Sequence, residues 1–395
     1  MKKFQKILLF VLLFGTMLIF GLIENIKGVS YPLIKMDFQA TDVQQGIMVS
    51  MLSMAYVSFS IIAGIFLSKF GIKPSYLFGY STLCIGLFAV FFMPGFFSTS
   101  AALFLIFAGF GFFEIGTNAL ASRIFVTKTA LLMNLLHAFY GIGAMLGPKA
   151  ASMIISIPKF NWRYVYLLSL PLALIFFIPS VFTRFPENTI SAGDKTKSDT
   201  GHKSFFDALK SPMVWLMAIT LGLAIIVEMN NSNWGPLYFW EVFNKNPETE
   251  GAAFVSSFFL IFTISRLVSG PFVEKIGYTR TLMGVSFLTI IVFIVGFSIG
   301  ENGIRLLPAN GFFIALLWPT IMAVAVVIFG KDAPVFASAM IAIGGLLNAG
   351  VQFIIGLTNK IFGPQWGYRS SILYTVLLLM AVILLHRKFR EYKKA

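Results

Sequence analysis

Glu24-Asn25-Ile26-Lys27-Gly28-Val29-Ser30-Tyr31-Pro32-Leu33 and Glu228-Met229-Asn230-Asn231-Ser232-Asn233-Trp234-Gly235-Pro236-Leu237 are two versions of one stretch. In each, an acid precedes a Pro-Leu pair by eight residues, and the two acids stand 204 residues apart, about half of the 395-residue chain. A second echo follows each copy. Gly64-Ile65-Phe66-Leu67-Ser68-Lys69-Phe70-Gly71 matches Gly270-Pro271-Phe272-Val273-Glu274-Lys275-Ile276-Gly277, 206 residues later. Two echoes in the same order imply two similar halves, each with an acid in its first helix.

The chain around these copies is apolar. Hydrophobic residues make up 57% and charged residues 12%, against about 25% charged in a soluble domain, and the mean hydropathy is +0.85. A bilayer-crossing helix needs about 20 apolar residues. Twelve such segments can be cut at charged or Pro/Gly punctuation: 7–35, 43–68, 74–94, 97–125, 129–157, 163–183, 212–240, 250–274, 280–299, 302–329, 334–362 and 367–386. None has the alternation of a membrane barrel strand. Met1-Lys2-Lys3 before an apolar run resembles a signal peptide, but no small-x-small cleavage site follows, so a retained first helix is expected. The polar stretch 185–211 divides the segments into six and six. The expected fold is an all-α membrane protein of twelve transmembrane helices in two six-helix bundles, with bundles at 1–184 and 212–395 joined by a cytoplasmic linker at 185–211. Repeated halves around a central site are a transporter architecture.

The net charge of +14 could point to nucleic acid, but its placement reads as topology. With a cytoplasmic N-terminus, most Lys and Arg, including Lys69, Lys73, Arg123, Arg184, Lys275, Arg280 and Arg387, fall in cytoplasmic loops. Lys35, Lys159, Arg163, Lys245, Arg305, Lys360 and Arg369 fall outside. That bias predicts a multi-pass protein of the cell membrane with both termini cytoplasmic and no nucleic-acid partner. Cys84, the single cysteine, excludes an intrachain disulfide and says nothing of compartment. The three histidines and one cysteine have no metal-site spacing and no phosphate-binding loop occurs, so neither cofactor, metal nor enzyme activity is expected.

Twelve helices, the six-plus-six repeat and the Lys69 and Lys275 loops resemble the major facilitator superfamily. The Gly64–Gly71 loop is similar to that family's signature between its second and third helices, with Ser68 in place of the acid; the second copy has Glu274 one place late. The resemblance implies cytoplasmic gate contacts for Lys69, Lys73, Arg266, Glu274, Lys275 and Arg280. A narrower resemblance is to the fucose/glucose/hexose:proton symporter branch. It rests on Phe113-Glu114 with Asn118, on Glu228, Trp234 and Tyr238, on Trp318-Pro319-Thr320-Ile321, and on Gly344-Gly345. Anchored on Pro32, that branch's first-helix acid would fall at Gly28; here the acid is one turn away, at Glu24. Gly143-x-x-x-Gly147-Pro148 resembles part of a drug-efflux signature, but small residues at that spacing also serve close helix packing.

Six charges are read as intramembrane, away from the ends of their segments: Glu24, Lys27, Glu114, Lys149, Glu228 and Arg266. Each costs roughly 2.5–3.5 kcal/mol at a helix centre, so such residues face a cavity or one another. Glu24 and Lys27 are three apart on one face and either neutralise each other or take part in binding. Glu114 has Asn118 one turn on and no Lys or Arg within a turn; low dielectric disfavours a charged carboxyl, which makes Glu114 the first candidate for reversible protonation, with Glu24 and Glu228 as the others. The polar run 230–233 is costly in mid-helix unless it lines water. Candidate substrate contacts are Lys27, Tyr31, Asn118, His137, Lys149, Asn230, Asn231, Trp234, Trp318, Asn348 and Gln352, with Asn134 a weaker one. The function expected is secondary transport by alternating access, as a monomer, of a sugar or related small polar metabolite with protons. Drug efflux and anionic-metabolite transport are the alternatives.

Overall fold

Each half opens on a helix that does not run through. In the computed structural model, which describes residues 3–125, 129–186 and 205–392, the first helix runs Lys3–Asn25 and resumes as Lys27–Asp37. The seventh runs Pro212–Asn233 and resumes as Gly235–Phe243. Proline supplies part of the cause, since it lacks the N–H that would reach the carbonyl four residues back. Pro236 sits in the first turn of its resumed piece, where the missing donor costs little, whereas Pro32 lies inside Lys27–Asp37. Asn25 adds to the first interruption by turning its amide back onto Gly21 O, at 2.9 Å. The two interruptions are not in register. The first falls two residues after its acid, at Ile26, and the second six residues after, at Trp234.

Among the described residues, twelve helices are long and apolar enough to cross a membrane: Phe4–Asp37, Asp42–Phe70, Ile72–Phe92, Phe96–Ile124, Leu135–Ile155, Trp162–Phe182, Pro212–Asn233, Pro247–Val268, Tyr278–Ser298, Gly300–Phe329, Val335–Phe362 and Pro364–Tyr392. These are the first to twelfth spans below. They agree with the twelve apolar segments because a helix is the way an apolar run satisfies its own backbone in lipid. The outward surface fits the same solvent: Ile65, Phe88, Phe92, Ile175 and Phe287 are all more than half exposed, an apolar surface that water would not tolerate.

The chain falls into two compact units. One comprises Met1–Thr41, Met51–Thr196 and Pro247–Ser256; the other comprises Asp42–Ser50, Lys197–Asn246 and Ser257–Ala395. Six spans make up most of each. Most of the expected linker, 187–204, lies outside the described residues; the short helix Phe205–Leu209 precedes the seventh span.

The second sequence echo survives as backbone. Gly71 and Gly277 both have strongly positive φ, 94° and 92°, and both sit between two helices. With ψ of 177° and 143°, they occupy a region that only glycine enters freely. Nothing lies within 4 Å of a Cβ placed on Gly277. Gly277→Ala is therefore expected to lower stability through the backbone alone, by about 1–3 kcal/mol. Gly64→Ala, equally uncrowded but inside a helix, is expected to be neutral or slightly stabilising. Thermal unfolding of the two variants in detergent checks the contrast; equal midpoints would overturn it.

Within the first unit, the first and fifth spans meet backbone to backbone. A Cβ on Gly21 would run into Tyr140 O, one on Gly143 into Leu18 O, and one on Gly147 into Leu22 O. The Gly143-x-x-x-Gly147 pattern therefore has a packing role, as small residues have at such crossings.

Candidate functional site

Close approach of the first and fifth spans brings Tyr140 against the first acid. Tyr140 OH donates to Glu24 Oε2 at 2.5 Å, while Lys27 Nζ donates to Glu24 Oε1 at 3.1 Å. This ion pair is deep: the side chains are 4% exposed for Lys27 and 12% for Glu24. Lys27 Nζ also lies 5.9 Å from the centre of the Phe107 ring. Phe20 stacks on Phe110 and meets Tyr140 edge-on, so the phenol that holds Glu24 is itself packed against aromatic rings. One turn beyond, Ser30 Oγ and Tyr166 OH share a hydrogen bond of 2.7 Å, and Tyr31 is fully buried beside them. Gly28, the position matching the symporter branch's acid, has no room for one: a Cβ there would lie 2.7 Å from Val255 Cγ2.

The second acid of this unit has different company. Asn118 Nδ2 donates to Glu114 O at 2.7 Å and to Glu114 Oε1 at 3.1 Å, and both residues are half-buried. The shared face expected from i,i+4 spacing is thus occupied by a direct side-chain contact. His137 is half-buried and Lys149 exposed, both on the fifth span. The side chain of Asn134 lies outside the described residues.

In the second unit, Gln352 of the eleventh span is a hub. Its Oε1 accepts from Trp234 Nε1 at 2.7 Å and from Asn233 Nδ2 at 3.4 Å. Its Nε2 donates to Asn230 Oδ1 at 3.2 Å and Asn348 Oδ1 at 3.0 Å. Asn230 continues to Ser371 Oγ at 3.1 Å, and Tyr368 OH donates to Asn231 Oδ1 at 2.7 Å. Asn230, Asn231 and Gln352 are completely buried. The polar run 230–233, read from sequence as lining water, meets protein partners from the eleventh and twelfth spans instead. Those partners meet much of the polar demand of a broken helix from within, although Asn233 Oδ1 stays buried without a hydrogen bond. Glu228 and Trp318 are half-buried.

The residues expected at a gate differ in burial, Lys73 and Arg266 being half-buried. Lys69, Glu274, Lys275 and Arg280 are exposed. Lys73 Nζ donates to Val181 O at 2.6 Å, and the Arg266 guanidinium lies 4.3 Å from the centre of the Phe262 ring.

Three contacts went unread in the sequence. Tyr140 had a signal: it stands three residues before Gly143, on the fifth span, whose glycines meet the first. Ser371 had none. The third is another echo at offset 206, Trp162-Arg163 and Tyr368-Arg369. Each pair opens the last helix of its half and grips the first. Arg163 Nη1 reaches Asp37 Oδ2 at 2.7 Å and Trp162 Nε1 the same oxygen at 3.3 Å. Arg369 Nη2 reaches Tyr238 OH at 3.3 Å.

Twelve apolar helices in two repeated halves, each opening on an interrupted helix with an acid before the break, define a multi-pass membrane protein built as a carrier. The chain belongs to the Major Facilitator Superfamily, whose family model matches residues 12–340; members of that family are transporters rather than enzymes. The fold is similar to that of the E. coli fucose:proton symporter, with a TM-score of 0.65 at 16% identity over 96% of this chain and 99% of that one. It is also similar to a bacterial homolog of the human lysosomal transporter Spinster in an inward-facing, unoccupied conformation, with a TM-score of 0.77 at 13% identity over 99% of each chain. Bypass of stop codon protein 6 of Saccharomyces cerevisiae is 23% identical over 292 residues, 65% of this chain but only 58% of that protein.

Proposed function

We propose that the protein is a secondary active transporter that moves a sugar or related small polar metabolite together with protons, by alternating access. The observation that carries this reading is the pair of carboxyls inside one six-helix unit, Glu24 held by Lys27 and Tyr140 and Glu114 held by Asn118. A carboxyl at membrane depth is a functional candidate because it is expensive to keep there. The likeness of fold to a fucose:proton symporter and the short motifs shared with that branch support both substrate class and coupling ion. Glu114 is the proton-coupling residue in this reading, with Glu24 and Glu228 as the other candidates. Asn118 supplies hydrogen bonds that suit hydroxyl groups and Trp318 a ring face; Asn230, Asn231, Trp234, Asn348 and Gln352, which bond protein partners here, would have to exchange those bonds for substrate. Tyr31, His137 and Lys149 complete the candidate contacts. The bundles 1–184 and 212–395, joined by a cytoplasmic linker at 185–211, would sit in the cell membrane as a monomer with both termini cytoplasmic. Lys69, Lys73, Arg266, Glu274, Lys275 and Arg280 would then edge the cytoplasmic gate. Efflux loses its particular support, since Gly143 and Gly147 are accounted for by packing. The test is uptake of labelled sugars and polyols into liposomes holding the purified protein. An inward proton gradient should drive accumulation that a protonophore abolishes. Flux indifferent to the gradient would overturn proton coupling, and the absence of flux for every sugar and polyol would overturn the substrate class.

A further inference from the structure

Lys27 raises a question that neutrality alone does not answer. Its ammonium is buried, and a carboxylate beside it stands three residues back, across the break at Ile26. Glu24 is held from a second direction, so each carboxylate oxygen has its own donor: the ammonium at Oε1 and the Tyr140 phenol at Oε2. Only one of these partners is a charge. Glu24 could let go of Lys27 and still keep a strong hydrogen bond from Tyr140, without any movement of the backbone. Lys27 has three donors on one nitrogen and can bridge two carboxylates while one replaces the other.

We propose that Lys27 is the anion-recognition residue of the transport site and that Glu24 is its stand-in when no substrate is bound. The substrate class that fits is a small polar metabolite bearing one carboxylate, such as a hydroxy acid or sugar acid. The inference rests on the transporter reading above and narrows its substrate. On entry, the substrate carboxylate takes Lys27 Nζ and Glu24 turns aside onto Tyr140. Tyr140 is thus a positioning residue that gives the displaced acid somewhere to go. Other ionisable groups stand on the elements packed against the first span: Glu114 on the fourth, His137 and Lys149 on the fifth, Tyr166 on the sixth, and Glu248 at the start of the eighth. Lys27 is the cation among the described residues that is both buried and already paired with a carboxylate.

The experiment compares affinities of the purified full chain, by calorimetry in detergent, for gluconate, glucuronate and lactate and for glucose, galactose and glycerol. The parent should bind at least one of the three acids. Glu24→Gln removes the internal competitor and should bind that acid roughly ten- to a hundredfold more tightly, the range for losing a charged hydrogen-bonded rival, with neutral probes within about twofold of the parent. Lys27→Gln should lose the acid and keep any neutral ligand. Tyr140→Phe, the mildest change, should weaken the acid several-fold and leave neutral ligands alone, a selectivity that a merely structural hydroxyl would not move. Equal effects of Glu24→Gln or Tyr140→Phe on acids and neutral probes would overturn the proposal in favour of a structural pair. A parent that binds none of the acids would overturn it too. Gradient-driven flux of a neutral sugar in that case leaves the transporter reading standing; absence of any gradient-driven flux removes that reading separately.

Discussion

Glu114→Gln is expected to exchange substrate across a bilayer nearly as the parent does and to lose accumulation driven by a pH gradient. The physical case is local. Asn118 Nδ2 bonds Glu114 Oε1 at 3.1 Å, and the glutamine carbonyl can accept that bond at the same place. Side-chain volume is kept, so the helix packing should not change. What disappears is the ability to gain and lose a proton. For each coupled proton, one pH unit is worth 1.36 kcal/mol, about a tenfold concentration gradient of substrate. If Glu114 carries the only coupled proton, the variant's accumulation ratio should fall from about ten per pH unit to about one. Paired counterflow and gradient-driven uptake in liposomes separate the two properties. Accumulation equal to the parent's would move coupling to Glu24 or Glu228. Loss of counterflow as well would mean that Glu114 is needed for binding or for folding rather than for coupling.

The largest effect on stability is expected at Gln352. Gln352→Leu keeps most of the volume and strips the hub of every hydrogen bond. Trp234 Nε1 loses its acceptor and Asn230 Oδ1 loses its donor, both inside the protein. A buried polar group left without its partner costs about 1–3 kcal/mol. Hydrogen bonds between membrane helices average less than that, because the unfolded chain in lipid also finds partners. The loss expected is about 2–4 kcal/mol, read as a drop of the thermal midpoint in detergent. Trp234→Phe removes one spoke and should cost about 1 kcal/mol. The double variant should be barely worse than Gln352→Leu, since the indole has already lost its acceptor. Strictly additive losses would mean that these residues act independently. A midpoint unchanged by Gln352→Leu would mean that the network is remade by other partners.

Much of the architecture was written in the chain. Twelve spans follow from apolar runs of sufficient length, because in lipid a segment's own composition decides whether it crosses and the helix is its way to satisfy its backbone. The repeat was legible in the acid-Pro copies and in the glycine-framed loops, and Gly71 and Gly277 keep the shared backbone that those loops imply. The Glu24–Lys27 pair was legible too, as residues three apart share a helical face without tertiary information, and the break at Ile26 leaves that contact in place. Local spacing also placed Asn118 beside Glu114.

The partners were decided elsewhere. Tyr140 lies 116 residues from Glu24 in sequence, and Trp234 lies 118 from Gln352; no local rule selects either. Their meeting depends on how closely helices cross, and that distance was set by Gly21, Gly143 and Gly147 at one crossing. The places where the first and seventh spans break were not legible either. The two Pro residues stand at the same distance from their acids, yet the breaks differ by about one turn. A proline removes one donor and leaves its neighbours to decide where the ladder yields. In the first span the Asn25 amide takes up Gly21 O; in the seventh, the Gln352 amide of the eleventh span braces the run up to Trp234. From the sequence alone, 230–233 had to be satisfied by something polar, and water was the reading. The tertiary structure supplied Gln352, Ser371 and Tyr368 instead, because the demand of a buried amide is fixed by its own chemistry while the group that meets it is fixed only by packing.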